Sequence, residues 1–286
     1  MRYGAHLPLI DFDGHGWQLS TLTAYARTAA GLGYAALAAN DHLVFRRPWL
    51  DGIVALAGVV GASGDLELAT TATLPVIRGA GAVASAASAL DTLSGGRLRL
   101  GVAPGSSPAD FELVGVPFDQ RWARFDEAVT ALRRERPERP LCVASWGSAA
   151  GLRRVARLGD GWLASAYNTS PEQVARGLQT LGEERDRLRG PARGFPCTVA
   201  TMWTHITDSR AERESTLDLL ASTLGRPREA LVDRVLVGAS EQCARLVRGY
   251  ADVGVDLLCL WPVVEPERQL ERFMTEVAPL VQPEAG

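Results

Sequence analysis

Two adjacent residues, Asp41 and His42, are the strongest candidates for proton transfer in this sequence. A carboxylate beside an imidazole can hold one tautomer of the ring and raise its pKa toward neutrality, which suits a proton donor. The alternative is a loop histidine that caps local backbone groups, and the pair alone does not decide between the two. His6, near the end of the first apolar segment, is a second histidine that could face a pocket and contact substrate. A buried, hydrogen-bonded histidine is the other interpretation of His6.

A turn of mostly small residues offers a different chemistry, the binding of an anion. Ser145, Trp146, Gly147 and Ser148 lead from an apolar segment directly into a predicted helix. Small residues let backbone N–H groups approach an anion at the positive end of the helix dipole, so we expect phosphate to bind here. Glycine and serine are common in any turn between a strand and a helix, so an ordinary turn stays open as the alternative.

Residues 11–15 (Asp-Phe-Asp-Gly-His) superficially resemble metal ligands. They offer three ligands on a flexible loop and lack a fourth, so we predict no metal site. The four cysteines form no C-x-x-C pair and have no neighbouring histidine, which favours reduced, buried thiols.

The composition bounds the class of protein. The chain has 286 residues, of which 47% are hydrophobic and 22% charged, and we expect one domain over residues 1–286. All 30 basic residues are arginines, and 33 acidic residues are interspersed with them, so we expect no nucleic-acid partner. No apolar run approaches about 18 residues, and the first residues lack the pattern of a secretion signal. We therefore expect a soluble, cytoplasmic protein with no membrane partner.

Short apolar strands alternate with amphipathic helices along the chain, which is the pattern of a parallel sheet covered by helices. Helical spacing of apolar residues predicts helices before Gly33 and before residues 94–96, and further helices that begin after Asp119, Ser170 and Ser240. The number of strands predicts a closed (β/α)₈ TIM barrel, in which the strand C-terminal ends and the loops after them hold the active site. The predicted strands are residues 3–9, 34–39, 66–74, 98–102, 141–145, 161–165, 198–206 and 255–261.

Five sequence motifs occur together and in one order along the chain, and this combination resembles the bacterial luciferase-like superfamily. The motifs are residues 40–42, the Leu-Pro of residues 74–75 followed by Arg78, residues 90–97 with residues 100–102, residues 121–128 and residues 157–162. The resemblance implies a TIM barrel that binds flavin mononucleotide (FMN) or the deazaflavin F420 at the strand C-terminal ends. The acid and histidine after the second strand are most similar to the F420-dependent branch.

The resemblance also implies roles for individual residues. Asp41 and His42 would be catalytic, with the histidine near the reacting ring. The third strand would end in a bulge with a non-proline cis peptide between Thr71 and Ala72, which supports the back of the ring. We therefore expect the cofactor to contact Thr71, Ala72, Thr73, Ser145, Trp146, Gly147 and Ser148, and the substrate to contact His6 and Ser106.

Three segments depart from the family pattern. Gly79, Ala80 and Gly81 replace a His-Pro or Asn-Pro, which predicts a more flexible loop after Arg78. Ser106 stands where sugar-phosphate-oxidising relatives have an acidic glutamate, which argues against that substrate. The connection between Arg133 and Leu141 is only a few residues long, whereas most relatives carry a longer insertion there. We therefore expect one wall of the pocket to be shortened.

The leading functional hypothesis is an F420-dependent oxidoreductase that transfers hydride between the deazaflavin and a small organic molecule, with His42 as the proton donor. A second hypothesis is an FMN-dependent monooxygenase that receives reduced flavin from a separate reductase. A third is a divergent barrel that has lost cofactor binding. The resemblance also implies a homodimer, for which the apolar helix predicted in residues 49–63 is a candidate contact.

Overall fold

The computed structural model describes residues 1–12, 14–189 and 195–281 of the chain. Eight parallel strands close into a ring in the order β1-β2-β3-β4-β5-β6-β7-β9, and β9 pairs with β1. The predicted (β/α)₈ barrel is therefore confirmed. The strands are β1 (Arg2–His6), β2 (Ala36–Ala39), β3 (Glu67–Thr70), β4 (Leu98–Val102), β5 (Leu141–Ala144), β6 (Gly161–Ser165), β7 (Cys197–Ile206), β8 (Leu236–Gly238) and β9 (Leu257–Pro262).

All eight predicted strands are present in the ring, and β8 is an addition that the sequence analysis did not predict. Among the described residues, β8 pairs with the last three residues of β7 alone and lies outside the ring. At three residues it is too short to show the alternation from which strands are recognised.

Helices cover the outside of the barrel and bury one apolar stripe each, as in α1, where Leu22, Tyr25, Ala26 and Ala29 are buried. They are α1 (Leu19–Gly31), α2 (Gly52–Val59), α3 (Pro75–Arg78), α4 (Ala80–Leu93), α5 (Pro108–Leu113), α6 (Arg121–Glu135), α7 (Ala149–Leu158), α8 (Pro171–Arg189), α9 (Arg210–Leu224), α10 (Ser240–Asp252), α11 (Pro266–Arg272) and α12 (Ala278–Val281). Short 3₁₀ turns lie at Val60–Ala62, Phe118–Gln120, Ala166–Asn168 and Arg228–Ala230, and a π-helical turn lies at Phe273–Val277.

Two local predictions about these helices are wrong. Asp119 does not cap α6, because it lies in the preceding 3₁₀ turn and the cap residue is Gln120. Gly79 does not open a flexible loop: its φ of 82° lets the chain pass from α3 directly into α4, so Ala80 and Gly81 are helical. The crossing between α6 and β5 is short, as predicted, since only residues 136–140 separate them.

The ends of β3 and β4 are held together by a reciprocal pair of hydrogen bonds. The Thr70 hydroxyl donates to the Gly101 carbonyl over 2.7 Å and accepts from the Gly101 N–H over 2.9 Å. A Cβ at position 101 would lie 2.3 Å from the Thr70 carbonyl oxygen, so only glycine permits this approach. The next peptide bond, Thr71–Ala72, is cis, as the family resemblance predicts.

All four cysteines are buried and free, in agreement with the prediction. Burial raises the pKa of the Cys142 thiol to about 11, so this thiol stays protonated at neutral pH. Within the described ranges, no helix is both long enough and apolar enough to span a bilayer.

Candidate functional site

A cavity of about 370 Å³ opens at the C-terminal ends of strands β2 to β7. In a parallel barrel this is the end that carries catalytic and binding residues. Among the residues predicted for the site, the cavity brings together Asp41, His42, Thr71, Ala72, Ser106, Ser145, Trp146 and Ser148.

Three predicted residues do not line the cavity. Thr73 is buried, and its backbone joins the ladder with β4 by a bond from its N–H to the Gly101 carbonyl and another from Ala103 to its own carbonyl. Thr73 is therefore not part of the cavity wall, and its expected contact with a cofactor stays a prediction. Gly147, with a φ of 85°, lies in the turn between lining residues and donates its N–H to the Ser145 hydroxyl. His6 is the third.

His6 is fully buried and lies outside the cavity lining, which contradicts the prediction that it faces the pocket. Its ring stacks on Trp261 with centroids 3.6 Å apart, and its Nδ1 lies 2.8 Å from the carbonyl oxygen of Leu7. Burial lowers the pKa of His6 to about 3, so the ring is neutral at physiological pH. The other interpretation, a buried and hydrogen-bonded histidine, is therefore correct.

His42 has a carboxylate partner, but the partner is Asp110 in α5 and not Asp41. The His42 Nδ1 lies 2.8 Å from one Asp110 oxygen, and the other oxygen accepts the N–H groups of Leu43 and Val44 over 2.8 and 2.7 Å. One buried carboxylate thus fixes both the imidazole and the backbone after it. Burial opposes ionisation of Asp110, but the hydrogen bonds from His42 and from Val44 and Leu43 outweigh it and lower the pKa of Asp110.

Asp41 pairs with Arg78 and not with His42, so the predicted Asp41–His42 pair is wrong. Its two oxygens form a bidentate pair with the Arg78 guanidinium at 2.5 Å each, and Arg78 also bonds Asp51. The side chain of Arg78 is therefore a brace between α3, the end of β2 and the start of α2. These bonds with the two carboxylates raise the pKa of Arg78 despite its burial.

Two buried oxygen atoms at the cavity have no hydrogen-bond partner among the described residues. They are the Asn40 Oδ1, which follows β2, and the Thr71 Oγ1, which belongs to the cis peptide. Buried polar atoms are almost always paired, so these two atoms are available to a molecule in the cavity, whether water or a ligand. Asn40 was missed as a site residue, although it directly precedes the predicted pair in sequence.

The turn after β5 has the geometry of an anion site. Ser148 caps α7, and its hydroxyl accepts the N–H of Gly151 over 3.2 Å. The first N–H groups of a helix have no intrahelical acceptor, so those of Ala149 and Ala150 face the turn. A Cβ at position 151 would lie 2.3 Å from the Ser145 hydroxyl, which makes glycine necessary for this packing.

Several lining residues come from helices and were not predicted. Arg121 and Trp122 open α6, Arg154 lies in α7, and Tyr167 follows β6. The rule that favours strand ends overlooks side chains that reach the cavity from neighbouring helices.

The loop at residues 11–15 uses Asp11 to hold backbone, since its carboxylate accepts the N–H groups of Gly14, His15 and Gly16. Asp13 lies outside the described residues. Among the residues described, no three histidine, cysteine or acidic side chains are grouped as a metal site requires.

Comparison with known proteins confirms the resemblance to the luciferase-like superfamily. Residues 9–136 match the sequence model of a family described as luciferase-like monooxygenase. Uncharacterised proteins of Mycobacterium tuberculosis and Mycobacterium bovis are each 30% identical over 147 residues, which is 43% of this chain and 51% of theirs. The chain therefore matches about half the length of these relatives.

Solved structures of low sequence identity share the whole fold. The monooxygenase RslO1 from Streptomyces bottropensis has a TM-score of 0.82 at 20% identity, covering 98% of this chain and 99% of that chain. An F420-dependent secondary alcohol dehydrogenase in complex with an F420–acetone adduct has a TM-score of 0.82 at 15% identity, with 99% of both chains covered. The oxygenating constituent of 3,6-diketocamphane monooxygenase from Pseudomonas putida, in complex with FMN, has a TM-score of 0.75 at 14% identity, also with 99% of both chains covered.

Proposed function

We propose that the protein is an F420-dependent oxidoreductase acting on a small organic substrate. The proposal starts from the match of residues 9–136 to the luciferase-like family. One observation carries the proposal: His42, held by Asp110, lines the same cavity as the unpaired oxygens of Asn40 and Thr71. That cavity therefore combines a positioned proton-transfer group with unsatisfied polar atoms that a ligand can pair.

The residues present fit a flat redox ring with a phosphorylated tail. A cavity of about 370 Å³ lies within the usual range for small-molecule sites of ~300–1,000 Å³. Small or apolar side chains line part of the cavity and suit a planar ring, while Asn40 and Thr71 suit the polar edge of such a ring. The small or apolar residues are Ala72, Ala144, Leu163, Ala164 and Ala200.

The turn before α7 suits the phosphate. The N–H groups at the start of α7 and the hydroxyl groups of Ser145 and Ser148 are the groups that would hold it. The cavity walls thus suit the ring of the cofactor, and the turn before α7 suits its phosphate.

When bound, a deazaflavin donates or accepts a hydride. The chain supplies the proton transfer that must accompany it. With Nδ1 bonded to Asp110, the Nε2 of His42 is the nitrogen available to a substrate oxygen, as proton donor in reduction and acceptor in oxidation. Phe45 and Trp49 pack against the imidazole at 4.9 and 4.7 Å between ring centroids and restrict its movement.

A flavin monooxygenase that uses FMN from a separate reductase is the second candidate. The matching family is described as luciferase-like monooxygenase, and RslO1 is a monooxygenase. Consumption of dioxygen coupled to substrate would favour this candidate, because a deazaflavin activates oxygen poorly.

The test is to titrate the purified protein with F420 and FMN, oxidised and reduced, and to follow their visible absorbance. We expect F420 to bind. FMN binding without F420 binding, accompanied by dioxygen uptake, would replace the proposal by the second candidate. Binding of neither would leave a non-catalytic barrel.

Replacement of His42 by alanine tests the assigned proton transfer. We expect turnover to fall by about 10²–10⁴, as is typical for loss of a general acid, with nearly unchanged F420 affinity. His15→Ala, in an exposed loop, is the matched control and should retain wild-type turnover. Wild-type turnover in His42→Ala would refute the role of this residue.

The homodimer is also a proposal. The predicted contact helix, α2, buries Ala55, Leu56 and Val59 in the subunit's own core and leaves Val54 exposed. Measurement of molar mass by light scattering tests association, and a monomeric mass would end this proposal.

A further inference from the structure

The outer rim of the cavity carries two partly exposed tryptophans, one with two arginines over its ring and the other with one. Trp122 and Trp146 line the cavity and are 40% and 53% exposed. The guanidinium carbons of Arg121 and Arg154 lie 5.0 and 4.6 Å from the Trp122 ring centroid. Arg226 does not itself line the cavity, but its guanidinium carbon lies 5.8 Å from the ring centroid of Trp146, which does. We call these five residues the rim clamp.

The rim clamp holds more positive charge than the described residues neutralise. Arg154 has a carboxylate partner, since its Nε donates to Asp126 over 2.7 Å. Arg121 donates to the carbonyl of Phe118 over 2.9 Å, and no carboxylate pairs with it within the described ranges. The same holds for Arg226, which donates to the side-chain oxygen of Asn168 over 2.5 Å. Two guanidinium groups thus remain uncompensated in a chain whose net charge is −3.

The arrangement leaves these two arginines ready to bind anions. A guanidinium group has five N–H donors in its plane, and a stacked ring occupies a face while leaving donors at the edge. The ring contacts also hold the side chains in place, so less conformational entropy is lost when an anion binds. The turn before α7 already suits one phosphate, so these charges are available for additional anions.

Resting on the proposed function, we propose that the rim clamp binds a cofactor tail with several carboxylates where it leaves the cavity. A mononucleotide such as FMN ends at its phosphate and has no further charge to offer. F420 carries a longer acidic tail, so Arg121 and Arg226 would select it by the charges beyond the phosphate. The clamp is thus a specificity determinant of the same site.

The experiment measures dissociation constants by fluorescence for three ligands: the deazaflavin chromophore alone, the form with phosphate but no glutamates, and F420 with several glutamates. For the wild type, we expect the form with several glutamates to bind most tightly and to lose this advantage at high salt. In Arg121→Gln and Arg226→Gln, we expect its affinity to fall roughly five- to tenfold, as for one charge-assisted hydrogen bond, with no change for the chromophore.

Arg124→Gln is the matched control, because Arg124 is an exposed arginine of α6 that bonds Gln120 and does not line the cavity. Arg226→Lys keeps the charge but loses the planar donors, so its loss of affinity should be smaller than that of Arg226→Gln. Thermal unfolding monitors the fold of each variant. Equal binding of all three ligands, or an equal loss for all three in the glutamine variants, would overturn the rim clamp and leave the proposed function intact. Failure of every deazaflavin form to bind would overturn both.

Discussion

The mouth of the barrel has two halves that the chain builds in opposite ways. At the ends of β1, β7 and β9, the rings of His6, Trp261 and Trp203 form a stack with centroid distances of 3.6 and 4.2 Å. Trp49 meets Trp261 edge-on at 5.5 Å and completes this filled half. At the ends of β2 to β6 the residues near the axis are mostly small, and the cavity lies there. One half is closed by the protein's own aromatic rings, and the other leaves room for a ring from outside.

The two halves meet at an irregularity in β7. Thr201 has a φ of 60°, which is rare for a β-branched residue, and the pairing register of β7 with β9 shifts between Val199 and Met202. Ala200, within the bulge, pairs with β6 and lines the cavity, whereas Trp203, after it, lies in the stack. The bulge therefore lets a single strand contribute to both halves.

The difference shows how each half is stabilised. The filled half depends on apolar packing, and it tolerates unpaired indole N–H groups on Trp49, Trp203 and Trp261 among the described residues. The open half depends on charged hydrogen bonds, above all those that Asp110 accepts. Substitutions in the two halves should therefore differ in size and in their dependence on pH.

The largest effect is expected for Trp203→Ala in the filled half. Trp203 is almost fully buried, and loss of a buried tryptophan typically costs about 3–5 kcal/mol in the free energy of unfolding. Trp146→Ala in the open half should cost less than about 1 kcal/mol, because that ring is half exposed. Denaturation by urea measures both. Equal losses for the two variants would show that the halves are not stabilised differently.

Much of this fold follows from local sequence patterns, and much of the site does not. The strands and the turn at Ser148 are encoded by apolar periodicity and by residues next to each other in the chain. The contact of His42 with Asp110 spans 68 positions and exists only once α5 packs beside the end of β2, so no local pattern reveals it. The burial of His6 likewise depends on how rings from three strands pack together.

An intermediate effect is expected for Asp110→Asn. The amide oxygen of asparagine can still accept the N–H groups of Leu43 and Val44, but it carries no charge. Hydrogen bonds to charged groups contribute about 1 kcal/mol more than neutral ones, so we expect a loss of about 2 kcal/mol over the two bonds. Because folding lowers the pKa of Asp110, its stabilisation is fully present above the unfolded pKa of about 4. It is lost as the pH falls through the lower folded pKa.

Denaturation of wild type and Asp110→Asn from pH 7 to pH 2 checks this expectation. The difference in unfolding free energy should be largest near pH 7 and should shrink below pH 4. Asp119→Asn, an exposed carboxylate in the turn before α6, is the control and should leave the pH profile unchanged. A difference that stays constant down to pH 2 would mean that Asp110 acts through its shape and not through its charge.

The smallest effect is expected for Gly151→Ala, which tests whether the turn before α7 belongs to the open half as a ligand site. The added Cβ would meet the hydroxyl groups of Ser145 and Ser148 at 2.3 and 3.0 Å, so both must move. We expect the affinity for a phosphorylated cofactor to fall roughly tenfold, or about 1.4 kcal/mol, while the dephosphorylated chromophore binds as before.

Gly182→Ala is the matched control. A Cβ at position 182 meets nothing within 4 Å, and the substitution removes a glycine from inside α8. It should raise stability by about 0.5–1 kcal/mol without changing affinity. Equal loss of both ligands in Gly151→Ala would place the turn in the wall of the ring pocket and not at the phosphate.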